Sequence, residues 1–374
     1  MSALREKIEE EIRRDGPIRF SRYMEICLYD PELGYYSRHA DQFGKAGDFY
    51  TSSDVHAVFG RLLARQFDEM WRALDRPPQL VIEELGPGRG LFAQDVLDWS
   101  EKKFPEFFHA LRYVLVERSQ ALRQRIERTL EKYMQRGKAV LAPADKPRLK
   151  HLPGIIFANE FFDSLPVEIV GPQGSVRVDA RSGRFVEELV PSSANELEFL
   201  DRFSILPETG ERVEVPLLSQ AHMSAAAEFD RGFMVIVDYG YTRDEQLAGR
   251  HRGTLKAIRQ HSMSGSPYDA PGEQDITADV NFTALGAAAE QNGLRVEKLV
   301  TQSQFLMGIG EANQFADAFE DCRLPQERTK VALQLKHLVT PAGMGESFHV
   351  LVASKGVPAD RVLSLAGLSF GRKD

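Results

Sequence analysis

Residues 80–104 constrain the fold more than any other stretch of the chain. Leu80 to Leu85 reads as a short strand, Gly86-Pro87-Gly88-Arg89-Gly90 as a glycine loop, and Leu91, Val96, Leu97 and Trp99 as the start of a helix. Glycine suits turns where φ must be positive, and a loop with few side chains lets a ligand lie against backbone. Strand, glycine turn and helix in that order form the opening unit of a doubly wound α/β sheet. Taken alone, the same motif is also a plain strand–helix turn.

The rest of the chain is consistent with that unit. Short apolar runs recur at Tyr113 to Val116, Ile155 to Ala158, Phe233 to Val237 and Phe348 to Val352. They lack in/out alternation, as expected of strands buried on both faces of a mainly parallel sheet. Amphipathic stretches lie between them. Leu122, Ile126, Leu130 and Tyr133 mark one helix face, and Asn281 is placed to cap a helix that stops at Asn292-Gly293. The alternation predicts an α/β fold with a Rossmann-like, doubly wound core. Ahead of it, residues 1–75 read as a mostly helical part, with Leu4, Ile8 and Ile12 in one stripe and Asp54 placed to cap a helix through Ala73. Asp75-Arg76-Pro77-Pro78 breaks the chain, and the core is expected over 76–374 with two insertions. One, at about 166–215, holds a hairpin of Val176 to Val178 and Phe185 to Val190 around Arg181-Ser182-Gly183. The other, at about 241–280, is polar and rich in Gly, Pro and Ser, the texture of a functional or disordered loop.

Glycine spacing narrows the ligand. Dinucleotide sites favour G-x-G-x-x-G, whereas Glu84 to Gly90 reads E-x-G-x-G-x-G. The shorter last step predicts S-adenosylmethionine, which has no pyrophosphate to cradle; an NAD-dependent oxidoreductase is the rival reading. No G-x-x-x-x-G-K-[ST] occurs, which disfavours a P-loop NTPase. The candidate cofactor residues are Glu84, Gly86, Pro87, Gly88 and Gly90, joined by Glu117 at the end of the second run, an acid placed to accept from ribose hydroxyls. The next run ends at Ala158, so Asn159, Glu160 and Asp163 emerge at a strand's carboxyl end, where open α/β sheets bind ligands. Methyl transfer needs a nucleophile aimed at the sulfonium methyl. Asn159 can orient such a nitrogen beside the cofactor, and Glu160 or Asp163 can hold a guanidinium and ease the loss of its proton. The plain alternative is that Asn159 caps a turn and the acids are surface charges.

Composition excludes several classes. A net charge of −8 argues against a duplex nucleic-acid partner and is compatible with a basic protein partner. Cys27 and Cys322 cannot make a disulfide framework, and the N-terminus has neither an apolar leader core nor an acid-free presequence, so a reducing, cytoplasmic location is expected. No run approaches the roughly 20 apolar residues of a membrane span. His222, His251, His261 and His349 lack metal-ligand spacing, so no metal is expected. The oligomeric state stays open, a homodimer being allowed.

Further blocks carry a resemblance. They include Gly16-Pro17-Ile18 with Tyr23-Met24, Tyr29-Asp30-Pro31 through Gly34-Tyr35-Tyr36, Gly47-Asp48-Phe49-Tyr50-Thr51-Ser52, and Ala158-Asn159-Glu160-Phe161-Phe162-Asp163 with Leu165-Pro166. Later come Asp238-Tyr239-Gly240, Gly253-Thr254-Leu255, Pro271-Gly272 with Asp275-Ile276-Thr277, and Gln302, Phe305-Leu306, Gly308 and Met344-Gly345. With the glycine loop, these blocks resemble the MidA-type methyltransferase family, which includes the mitochondrial complex I assembly protein-arginine methyltransferase. The resemblance spans nearly the whole chain. It implies a seven-strand-type methyltransferase core, S-adenosylmethionine as cofactor, and an arginine on a protein partner, in the mitochondrial member a complex I subunit, as acceptor. The chain departs from the family where Lys256-Ala257-Ile258 follows Gly253-Thr254-Leu255 in place of a more aromatic pattern. The resemblance also adds weight to Gly47, Thr51 and Ser52 as a place for the cofactor's carboxylate at a helix N-terminus, ordinary capping being the alternative. Asp275-Ile276-Thr277 becomes a candidate lid or acceptor channel, or else a turn. Two other readings remain: a cofactor-binding assembly factor without obligatory catalysis, and a small-molecule methyltransferase.

Overall fold

The computed structural model describes residues 2–38, 57–143, 152–259, 262–263 and 265–371. Seven strands form the central sheet: β1 (Leu80–Leu85), β2 (Leu111–Val116), β3 (Ala139–Ala142), β4 (Gly154–Asn159), β5 (Gly232–Tyr241), β6 (Arg295–Thr301) and β7 (Phe348–Lys355). Their spatial order is β6-β7-β5-β4-β1-β2-β3, with Val280–Asn281 added in parallel alongside Gly240 and Tyr241, the last residues of β5. All pairings from β5 to β3 are parallel, while β7 runs antiparallel to both β5 and β6. This is a Rossmann-like sheet, doubly wound as the apolar runs predict.

Both faces of the sheet are buried. Leu80 and Ile82 of β1, Ile155 and Phe157 of β4, and Val235 and Val237 of β5 pack with helices Ala57–Ala73 and Leu91–Lys103. Their alternate neighbours Val81, Ile156, Ala158, Met234 and Ile236 pack on the other side with helices Leu217–Ala226 and Phe282–Gln291. Hence the runs read as continuously apolar. The chain winds outward from β1 through β2 and β3, then returns to β4 on the other side. That reversal opens a crevice at the carboxyl ends of β1 and β4.

Two strands escape the apolar reading. β3 has four residues, and β6 carries Arg295, Glu297 and Lys298. Both are edge strands; β3, Ala-Val-Leu-Ala, is apolar but too short to stand out as a run, and β6, covered less fully than the central strands, need not be apolar. The helix face marked by Leu122 to Tyr133 is two helices, Gln120–Thr129 and Glu131–Gln135, because Leu130 leaves helical geometry at φ −106°. Asn281 caps its helix, its side chain accepting from the N–H of Ala284 at 2.9 Å.

The hairpin pairs as expected, Arg181 opposite Arg184. It belongs to a five-stranded sheet with Glu168–Gly171 and Val213–Val215, and Ile18–Arg19 supplies the fifth strand from the N-terminal part. In the polar 241–280 stretch, Lys256–Arg259, Ser262–Met263 and Asp275–Thr277 form a three-stranded sheet rather than an irregular loop. Polar groups just ahead of it are satisfied from another element: Glu214 of the strand Val213–Val215 accepts from the N–H of Thr254 at 3.0 Å, its hydroxyl at 3.0 Å, and the N–H of Leu255 at 3.2 Å. Helices Ala3–Asp15 and Phe20–Tyr29 pack with Val176, Val178 and Ile276 in one cluster. This third layer covers the crevice.

Candidate active site

The glycine loop follows β1 directly. Gly86, Gly88 and Gly90 have φ of +63°, +53° and +75°, a region that L side chains adopt with strain. The N–H of Gly86 donates to Val116 at 3.1 Å, tying the loop to the end of β2, and that of Gly90 donates to Pro87 at 2.8 Å, closing the turn. The glycines serve different ends. A side chain on Gly86 would strike the Phe161 ring at 2.7 Å. One on Gly90 would sit 3.5 Å from Ile126 and Leu130, inside the fold. One on Gly88 would meet nothing within 4 Å, because this residue borders open space.

That space is a cavity of about 650 Å³, within the range of small-molecule sites. Glu84, Gly86, Pro87, Gly88, Glu117, Asn159, Glu160 and Asp163, all singled out from the sequence, line it. Gly90 does not; it shapes the turn and starts the helix. Gly47, Thr51, Ser52 and the expected cap Asp54 lie outside the described residues.

Most of the charged side chains in the wall are carboxylates. Glu84 is buried, and its carboxylate accepts from the Tyr113 hydroxyl at 3.0 Å across the neighbouring strand. Burial pushes its carboxyl up to about 8, the Tyr113 bond opposing. Glu117 accepts from the N–H of Ser119 at 2.7 Å and is raised by burial to about 7.

The turn after β4 carries three candidates. The Asn159 amide donates to Glu160 Oε1 at 3.2 Å, and Glu160 holds a left-handed φ of +50°. Asp163 is buried rather than a surface charge. Its Oδ1 makes no hydrogen bond among the described residues, and burial raises its carboxyl to about 6, with the Tyr239 phenol beside it opposing. Asp238, at the end of β5, organises this turn. Its Oδ2 accepts the N–H groups of Phe161, Phe162 and Asp163 at 3.2, 3.0 and 3.3 Å.

Several lining residues were not singled out as site residues. Tyr29 donates to the Ser164 carbonyl at 3.0 Å, and Tyr36 donates to Asp275 Oδ1 at 2.9 Å, so the N-terminal helices roof the cavity. Asp275 thereby enters the wall from a strand, not from a turn. Arg118 and His222 also line it, His222 with its ring 5.8 Å from that of Phe161. Tyr29, Tyr36 and Asp238 lie in the sequence blocks quoted above; block membership was the available signal, but it carried no role. Among the described residues, no group of three or more His, Cys, Asp or Glu could hold a metal ion, and no helix is long and apolar enough to cross a membrane.

With this geometry, the comparisons with known proteins agree. The protein arginine methyltransferase NDUFAF7 homolog, mitochondrial, of Drosophila melanogaster is 30% identical over 387 residues, covering 96% of this chain and 86% of that protein. Protein arginine methyltransferase NDUFAF7, mitochondrial, of Mus musculus is 31% identical over 91% of this chain and 81% of its own. A crystal structure of a COG1565 superfamily member from Burkholderia thailandensis bound to S-adenosyl-homocysteine superposes with a TM-score of 0.84 at 27% identity, covering 100% of this chain and 96% of that one. The cytoplasmic location expected from the sequence is corrected by these relatives, which are named as mitochondrial proteins. Cysteine content and the composition of the first residues therefore do not decide this chain's compartment. A family profile of S-adenosyl-L-methionine-dependent methyltransferases matches residues 62–300. The chain belongs to this family, Methyltransf_28, and is an S-adenosyl-L-methionine-dependent methyltransferase of the MidA type.

Proposed function

We propose that the methyl acceptor is an arginine of a protein partner, and that this partner is a subunit of respiratory complex I. One observation carries the arginine reading: the charged side chains that line the cavity joining the glycine loop to Asn159 are mostly acidic, among them Glu117, Glu160, Asp163 and Asp275, against Arg89, Arg118 and His222. Such a charge balance favours a cationic acceptor over an anionic one. The curated relatives, named as protein arginine methyltransferases, support the same acceptor. The family resemblance supports the complex I partner.

The residues present fit the cofactor. Gly88 leaves room that a side chain would fill, and Glu117 presents an acid at the end of β2. Glu84, Gly86, Pro87, Gly88 and Glu117 would hold it, Glu117 accepting from the ribose hydroxyls. When bound, it supplies an electrophilic methyl on a sulfonium. Asn159 aims the acceptor nitrogen. Glu160, fixed by the Asn159 amide, would take the proton that the methylated nitrogen must lose.

The test is to incubate the full chain with methyl-labelled cofactor and the complex I subunits, then map the label by mass spectrometry. Label on an arginine side chain supports the reading. Label confined to other residues, or none at saturating cofactor, rejects it.

A further inference from the structure

The cavity has a side that the glycine loop does not use. There Tyr29 and Tyr36 stand with ring centroids 5.4 Å apart and planes inclined by 34°. Each phenol is pinned: Tyr29 to Ser164 at 3.0 Å and Tyr36 to Asp275 Oδ1 at 2.9 Å. Asp163 and Asp275 both act electrostatically on both phenols, so the four side chains form one group. The two acids come from different parts of the fold, the turn after β4 and the strand Asp275–Thr277. The N–H of Ala278 joins these parts, donating to the Asp163 carbonyl at 2.9 Å. All four residues line the cavity.

Two observations give this group a ligand. Asp163 is 5% exposed, and its Oδ1 makes no hydrogen bond of good geometry among the described residues, with the Tyr239 hydroxyl beside it as a donor. A buried carboxylate can accept several donors, so it keeps lone pairs for a ligand's N–H groups. Independently, the Tyr29 ring already carries one guanidinium, that of Arg118, at 5.8 Å from its centroid. Arg118 also reaches Glu25 at 3.6 Å, so this rim of the cavity already receives an arginine.

We infer that Tyr29, Tyr36, Asp163 and Asp275 form a subsite for a planar guanidinium, separate from the cofactor loop. The chemistry selects guanidinium over ammonium. A flat cation can stack on a tyrosine face while its N–H fork donates sideways to carboxylates, whereas an ammonium presents a compact point charge. The inference rests on the reading that the acceptor is an arginine, and it adds which residues recognise that arginine.

The experiment titrates the full chain, saturated with S-adenosylhomocysteine, with methylguanidinium and separately with methylammonium, followed by ligand-observed NMR. Methylguanidinium is expected to bind at least tenfold more tightly than methylammonium. Asp163→Asn and Asp275→Asn are each expected to weaken it tenfold or more, with S-adenosylhomocysteine affinity held within twofold. Asp275→Asn keeps an oxygen for Tyr36, and Tyr36→Phe removes only the hydroxyl, so the two together guard against a misfolded variant. Equal binding of both cations, no binding to the wild type, or variants that bind like the wild type would overturn the subsite. So would a matching loss of S-adenosylhomocysteine affinity, which would place these acids on the cofactor. Methyl transfer to a protein arginine with KM unchanged in the Asp163→Asn/Asp275→Asn double variant also overturns it, while leaving the acceptor reading intact. Methylguanidinium binding without any transfer to arginine does the reverse.

Discussion

The Asp238 carboxylate and the Phe162 backbone are joined by a 3.0 Å hydrogen bond that ties the end of β5 to the turn after β4. The same oxygen takes the flanking N–H groups of Phe161 and Asp163, and the other accepts from Tyr239 at 3.0 Å. The turn needs such a clamp, because Glu160 just before it is held left-handed at φ +50°. Asp238→Ala would remove the acceptor of four backbone N–H groups, three of them in the turn after β4. The expected loss is about 3–4 kcal/mol in urea unfolding, on the order of 1 kcal/mol per orphaned donor. Asp238→Asn keeps one accepting oxygen and should recover part of that loss. Methyl transfer should fall in both variants while S-adenosylhomocysteine affinity holds, since Asp238 does not touch the glycine loop. Full activity in Asp238→Ala would refute the clamp.

The clamp also shows how far sequence reading reaches. β1, β4 and β5 were legible because two-sided burial forces continuous apolar runs, and the glycine turn because its φ values exclude most side chains. Asn159 and Glu160 were legible because they follow a run whose end is visible in the sequence. Asp238 was not, because its role depends on a turn more than 70 positions earlier in the chain (residues 161–163). Asp275 was legible as part of a candidate lid or acceptor channel, but its partners Tyr29 and Tyr36 were missed for the same reason: only the folded roof brings them together. β6 was missed because an edge strand need not be apolar, and the polar 241–280 stretch misled because Glu214 satisfies its groups from another element.

Gly88 separates binding from folding. Gly88→Val adds a branched side chain to a residue with φ +53° and no neighbour within 4 Å. The strain costs about 1–2 kcal/mol, and Tm should drop by only a few degrees. The side chain would occupy cofactor space, so S-adenosylhomocysteine binding by calorimetry should be lost. Binding close to wild type would remove the loop from the cofactor site. Gly86→Ala should behave differently, destabilising the fold itself through the Phe161 ring.

Asn159 separates catalysis from scaffolding. Asn159→Ala removes the amide that fixes Glu160 but leaves the glycine loop and Glu117 untouched. Turnover should fall by about a hundredfold or more, the scale of lost positioning and proton transfer, with cofactor affinity nearly unchanged. A variant that still supports partner assembly at full strength without transfer would favour the assembly-factor reading.

Glu117 sets a pH dependence of binding. In the proposed role as ribose acceptor, its carboxyl, raised to about 7, must be ionised to accept both hydroxyls. As pH falls from 8 to 6 the acid protonates, and S-adenosylhomocysteine affinity should weaken by about tenfold. Glu117→Gln should bind weakly at every pH, with that dependence gone. A wild-type affinity that stays flat over this range would mean that Glu117 does not hold the ribose.

Glu84 sets a pH dependence of stability, and its sign is opposite to that of a salt-bridged acid. Its carboxyl titrates near 4.5 when unfolded and is pushed up to about 8 in the fold by burial. Between those values the native state holds a proton that the unfolded chain has lost, so stability falls as pH rises through that window. The contribution is fully present below the unfolded value and gone above about 8. Without cofactor, Tm should therefore decline from pH 5 to pH 8. Glu84→Gln keeps an oxygen for the Tyr113 hydroxyl and carries no titratable proton, so its Tm profile should be flatter over the same range. Identical slopes in the two proteins would show that Glu84 is ionised in the fold despite its burial.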